Sequence, residues 1–503
     1  MKLIYLKSRF KKTFKKYLNI LFIIFMFNLY SHFLSAQNLT EVALFHRCYL
    51  QLTSQQVKPS DSLLSKVTSG LLTAADACGQ VLDSASLIGS DKMTLVDPLN
   101  IQAQNVLATF NRLHYSWFYS KDFPVISWPG HSDDLKNLYD ASTPALYYTR
   151  ALLAKGVKAS DPVTSSDFLQ AIRTTMDPLV GPESKHKKTD YIFLTPFNFA
   201  PTGTLIGVQK AASKVLNFPA NPIPVPDNPG IQPYRPAGSI DIYSNLGAGF
   251  LGTQIYLNLN LESISSYSVY KTDGALLMHR RWGKAVFHDT LCRELPVVRE
   301  SDAVSFVDPK STTAFRNSST CVKCHASHDR ISGVIRGLYV LYVGIGDLTP
   351  IDFQNRGGNF ASFHQEISPA EKEWPTKSDA LYFQRPATGQ LFFRNYNGEL
   401  VDLPLSGISD LGQKLSETDD YFICLARRYY NYFLGIDVNT GDLNDPVSGI
   451  ILGANAKIHR DKVIELGKKL RTTENLNLMI KEIFKLPNYQ KFDFGATGAV
   501  GGS

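Results

Sequence analysis

Several catalytic signatures are missing from this chain of 503 residues. There is no G-x-S-x-G turn, no H-E-x-x-H pair and no G-x-x-x-x-G-K loop. That sets aside the nucleophile-elbow hydrolases, the helix-borne zinc peptidases and the P-loop nucleotidases. Methionine and tryptophan are scarce, at six and four residues, and cysteine also numbers only six. Acidic residues are absent from the first 36 positions, where seven basic ones stand (Lys2, Lys7, Arg9, Lys11, Lys12, Lys15, Lys16). Since the whole chain has 52 basic and 45 acidic residues, the remainder is formally neutral. A neutral body lacks the footprint of a nucleic-acid binder, so no nucleic-acid partner is expected.

The basic segment is followed by an apolar run from Leu18 to Tyr30, broken by Asn19 and Asn28, and then by Leu34-Ser35-Ala36 before Gln37. This is the order of a secretory signal, read here as residues 1–36. The run is shorter than the roughly 20 residues a spanning helix needs, so no membrane span is expected after cleavage. Export predicts a periplasmic, extracellular or cell-surface protein, in a compartment where disulfides persist.

The densest chemistry lies at Cys321-Val322-Lys323-Cys324-His325. C-x-x-C-H is the attachment signature of a c-type haem. Two thiols on one helical turn can bond the two vinyl groups of one porphyrin, and the adjacent imidazole is then held under the iron. The expected cofactor is one covalent haem c, bound by Cys321, Cys324 and His325, with His325 as the iron ligand. One motif excludes a di-haem arrangement. His328, three residues on, shares the face of His325 and cannot reach the opposite side of the iron. The one methionine downstream is Met479, too distant for the simple electron-carrier pattern. Met278, His279 and His364 are candidate distal ligands, and an open sixth position is the remaining possibility. The competing readings are a zinc site from Cys321, Cys324, His328 and Cys292, or a structural Cys321–Cys324 disulfide in an exported binding or scaffold protein. Of the other cysteines, Cys48 and Cys78 can form one disulfide, and Cys292 and Cys424 can form another or stay buried and reduced.

Apolar periodicity predicts a mainly α-helical chain. Helices are expected within 40–88, with a cap at Ser60-Asp61, over 103–120, from Thr143-Pro144 to Leu153, from Ser165-Ser166-Asp167 to Thr175, and over 274–291. Others are expected over 411–434 with a break near 416–420, over 455–469 and over 476–486. His114 reads as a core or rim histidine and not as a ligand, and the pairs Asp133-Asp134 and Asp419-Asp420 as solvated faces or helix starts. Seven prolines crowd 218–237, which predicts a linker or long surface loop. The organisation read from this is an N-terminal helical region 37–217, the proline-rich stretch, a haem c attachment region 238–350, a C-terminal helical region 351–490 and a disordered tail 491–503. Gly247-Ala248-Gly249-Phe250-Leu251-Gly252 matches G-x-G-x-x-G, but its flanks are wrong for a dinucleotide site and Thr253–Leu261 alternates like a strand. Residues 389–403 read as a hairpin around Asn397-Gly398.

The order of motifs over about 240–490 resembles the exported cytochrome-domain proteins abundant in planctomycetes. The shared features are Gly249-Phe250-Leu251-Gly252, Arg280-Arg281-Trp282, Leu291-Cys292-Arg293, the C-x-x-C-H run with Asp329 four residues after His325, Cys424-Leu425-Ala426-Arg427-Arg428-Tyr429 and Leu434-Gly435. Arg330 stands where that family often has proline, and Ile436 where it usually has arginine. The resemblance implies several small helical domains around a cytochrome c-like attachment segment. It implies an unknown redox partner and names no substrate.

Overall fold

The computed structural model describes residues 38–123, 139–175, 203–213, 215–218, 238–241, 243–260, 277–312, 314–336, 338–344, 357–362, 386–445 and 451–494. The expected signal segment, Asp133-Asp134, His364, a mostly basic stretch at 182–188 that reads as a solvated loop, and the glycine-rich residues after 494 lie outside them, as do all seven prolines of 218–237.

The chain opens with α1 (Glu41–Thr53), α2 (Ser62–Thr68) and α3 (Ala74–Asp83). Each starts where a side-chain oxygen takes up a first-turn N–H: Thr40, Asp61 and Thr73 in turn. Strands β1 (Leu87–Ile88) and β2 (Lys92–Leu95) follow, then α4 (Ile101–Ser116) and α5 (Thr143–Leu153), the latter with Pro144 in its first turn. Next come β3 (Leu169–Arg173), β4 (Leu205–Lys210), β5 (Val215–Phe218) and β6 (Gly238–Asp241). Then come α6 (Gln254–Leu259), α7 (Leu277–Leu291) and α8 (Ser319–Ile331). The rest comprises β7 (Tyr339–Gly344), β8 (Gly357–Ser362), the hairpin β9 (Gly389–Arg394) and β10 (Leu400–Leu405), and helices α9 (Ile408–Ser416), α10 (Asp419–Leu434), α11 (Ala454–Thr473) and α12 (Leu476–Phe484).

The fold is therefore mainly helical, with a four-stranded antiparallel sheet in the order β1-β2-β4-β3 and three two-stranded pairs. Two local expectations fail. The helix expected up to Thr175 is β3, paired along its length with β4. Leu169 and Ile172 are three residues apart, which mimics a helical stripe, and cross-strand pairing overrides it. The strand expected from Thr253 is α6. Thr253 caps it by accepting from Tyr256 N at 3.2 Å, and all six of its residues are buried, so no two-sided alternation exists. The glycines before it serve packing. Gly249 has φ +60°, and a Cβ there would stand 1.7 Å from the carbonyl oxygen of Pro162. Among the described residues no parallel strand–helix unit surrounds them, so the dinucleotide pattern has no support there.

The regions read as successive along the chain share one apolar core. Leu44, Phe45, Phe110 and Tyr147 pack in the same cluster as Trp282, Phe393, Tyr429 and Ile483. Each such fully buried side chain contributes roughly 1.5–3 kcal/mol. The ends of the proline-rich stretch are paired with each other, Phe218 opposite Gly238. The two ends of the described chain also meet. Leu39 N donates to Gln490 O at 2.9 Å, and Arg47 donates to the carbonyls of Tyr489, Lys491 and Phe492 at 2.8–2.9 Å. Residues 491–494, placed in the tail by sequence, thus belong to the fold. Among the described residues no helix is long and apolar enough to cross a membrane.

Both disulfides that the sequence left possible are present, and Cys292 and Cys424 are joined and not reduced. Cys48–Cys78 joins α1 to α3 with Cα atoms 6.0 Å apart, and Cys292–Cys424 joins the end of α7 to α10 with Cα atoms 5.3 Å apart. His114 is a core residue, as read. Its Nδ1 lies 2.9 Å from Thr149 Oγ1 and its Nε2 2.7 Å from Tyr429 Oη. The pair Asp419-Asp420 starts α10, one of the two readings given to it; Asp420 is also buried and paired with Arg293 at 2.5 Å, while Asp419 pairs with Arg471.

Candidate functional site

Helix α8 carries the C-x-x-C-H run. It begins after Ser318, whose carbonyl accepts from Cys321 N at 3.1 Å and Val322 N at 2.9 Å. Val322, Ala326 and Ile331 are buried and anchor it in the core. Cys321, Cys324, His325 and His328 fall at spacings of three, four and seven, so they form one stripe along the helix. The first three are partly exposed and His328 is buried. The two thiols are free. The structural disulfide considered between them is therefore not formed, and the zinc reading loses Cys292, whose sulfur is bonded to Cys424. Burial raises the pKa of the Cys324 thiol, with Cys321 adding to the rise and Lys323 and Lys284 working against it.

The histidines converge on one carboxylate. His325 Nδ1 lies 2.8 Å from Asp329 Oδ2, one helical turn on. His328 Nε2 stands 3.0 Å from Asp329 Oδ1, and Arg280 Nε of α7 is 3.3 Å from the same oxygen. The two imidazole rings are 4.6 Å apart. Burial works against ionisation of Asp329, but the two imidazoles and the Arg280 guanidinium outweigh it and hold its pKa well below the usual carboxylate range. An ionised carboxylate only accepts, so His325 donates from Nδ1, and its neutral form carries the lone pair on Nε2. Helix α7 comes close enough to deliver Arg280 because residue 283 is glycine. A Cβ there would lie 2.6 Å from both His328 O and Ser332 Oγ. His328 Nδ1 and Ser327 Oγ are buried with no hydrogen-bond partner among the described residues.

Among the described residues, His325, His328 and Asp329 form the one group of three or more donors close enough to share a metal ion. Sequence reasoning named His328 and Asp329 only by position. The convergence on Asp329 was readable from the spacing of four between His325 and Asp329, but the arrival of Arg280 from α7 was not. Of the distal candidates, His279 is buried with Nε2 3.1 Å from the carbonyl of Ile335, and burial pushes its pKa down to about 4. That bond makes it a structural tie to the turn after α8. The side chain of Met278 and all of His364 lie outside the described residues.

No family model, no curated protein and no solved structure matches this chain.

Proposed function

We propose that this chain is an exported mono-haem c-type protein that transfers electrons or performs haem-based redox chemistry. The observation that carries the reading is α8 itself. Cys321 and Cys324 are free thiols one turn apart on a half-exposed stripe, and His325 follows with Nδ1 bonded to a carboxylate. The other four cysteines are taken up in disulfides, which fits an oxidising compartment. The donor set suits the group. Cys321 and Cys324 would hold it by thioethers, and His325 Nε2 would ligate the iron. The cofactor, when bound, supplies one-electron chemistry and a coordination position for a small ligand. The protein would orient the imidazole through the bond from His325 Nδ1 to Asp329.

The test is the visible spectrum of the full chain, made in a host that matures c-type haem, after denaturation and reduction. A haem band that stays with the denatured wild-type chain and is lost from C321S/C324S supports the reading; a colourless wild type overturns it.

A second reading has its own observation, the His325–His328–Asp329 group. A divalent cation such as zinc would take nitrogen and oxygen donors of this kind. Metal analysis of the colourless protein decides this reading: a stoichiometric cation lost in H328A supports it.

A further inference from the structure

We propose that Asp329 is a positioning residue that sets the donor strength of His325 and thereby holds the bound iron toward its oxidised state. The inference rests on the haem reading above. The two carboxylate oxygens divide the work. Oδ2 takes the Nδ1 proton of His325 at 2.8 Å. Oδ1 faces His328 Nε2 at 3.0 Å and Arg280 Nε at 3.3 Å. The second oxygen is thus held from two directions, His328 on the same helix and Arg280 across the helix contact, and this aims the first at the imidazole.

The arrangement is also set before any cofactor arrives, because His325 and Asp329 stand one turn apart on the same helix. Asp329 is nearly buried, with 12 % of its side chain exposed, so the hydrogen bond acts at low dielectric and is strong. Donation of the Nδ1 proton to a carboxylate puts negative charge on the ring. A metal-ligating histidine so bonded is more basic at its other nitrogen. Greater donation from Nε2 favours the higher charge state of the iron. The ring orientation is fixed by the same bond.

The experiment uses the full-length, haem-loaded protein as wild type, D329N and D329E, each checked first for covalent haem in the denatured, reduced spectrum. D329N is expected to keep the haem and to lower the oxidised-to-reduced ratio at a fixed ambient potential about tenfold, a rise of about 59 mV in midpoint for one electron. D329E, which restores the charge, is expected to recover most of that shift. Loaded D329N with an unchanged potential overturns the proposal and leaves the haem reading intact. Absence of covalent haem in the wild type overturns the haem reading and, with it, the proposal. Should D329N fail to accumulate, the reduced wild type carries the test through isotope-labelled histidine NMR. A slowly exchanging proton on Nδ1 of His325 supports the proposal, and a rapidly exchanging or missing one overturns it.

Discussion

The six cysteines divide the molecule into two kinds of place. Cys48–Cys78 and Cys292–Cys424 tie positions 30 and 132 residues apart, and three of those four sulfur-bearing residues are fully buried. Cys321 and Cys324 are a single turn apart, partly exposed and unjoined. A crosslink stabilises chiefly by restricting the unfolded chain, and its effect grows with the length of the loop it closes. A pair three residues apart closes almost nothing. Stability thus accounts for the first four cysteines and gives no reason for the last two, so the reason for that pair has to be chemical.

The largest expected effect tests the clamped set. C292S/C424S should cost about 5 kcal/mol and C48S/C78S about 3.5 kcal/mol by loop length, read by urea unfolding of the chain made without haem. Equal or negligible costs would break the comparison on its structural side. The next effect concerns the core that these clamps enclose. Burial, with Arg428 nearby, holds the His114 pKa well below 6.5, so the folded state keeps the ring neutral while the unfolded state protonates it. Stability from this residue is complete above pH 6.5 and is lost as pH falls below it, by about 1.4 kcal/mol per pH unit. Comparing the pH dependence of unfolding for wild type and H114Q should show a flatter acid limb in the variant. The smallest effects belong to the free pair. C321S/C324S without haem should change unfolding by less than about 1 kcal/mol. Alkylation of the native, haem-free chain should label these two thiols only. Cys324 should react more slowly than an unperturbed thiol at pH 8 and speed up as pH rises, because burial raises its pKa.

Much of this division was legible in the sequence, and the reasons are local. Helix starts at Asp61 and Thr143-Pro144, the break between α9 and α10, and the hairpin around Asn397-Gly398 all rest on short-range signals that the structure keeps. Both disulfide pairings were among the possibilities, but spacing alone could not choose them, since each is decided by packing between distant helices. The misreadings are cases where distant segments decide. Strand β3 needs β4, more than 30 residues away in sequence, to declare itself. Asp420 is a helix start as read, but its burial depends on Arg293, 127 residues away, which no local pattern announces. In the candidate site, the stripe of Cys321, Cys324 and His325 and the turn to Asp329 follow from helix spacing. Arg280 enters by tertiary packing over Gly283, which only the fold reveals.

The meeting of the two chain ends bears on how the protein assembles. Arg47, near the start of the described fold, grips the carbonyls of residues 489–492, and Gln51 takes a hydrogen bond from Tyr489. The first helix is therefore completed by residues 442 to 445 positions further along the chain. Such sequence-distant contacts make closure a late and slow event. Until these contacts form, the first helix lacks part of its covering layer.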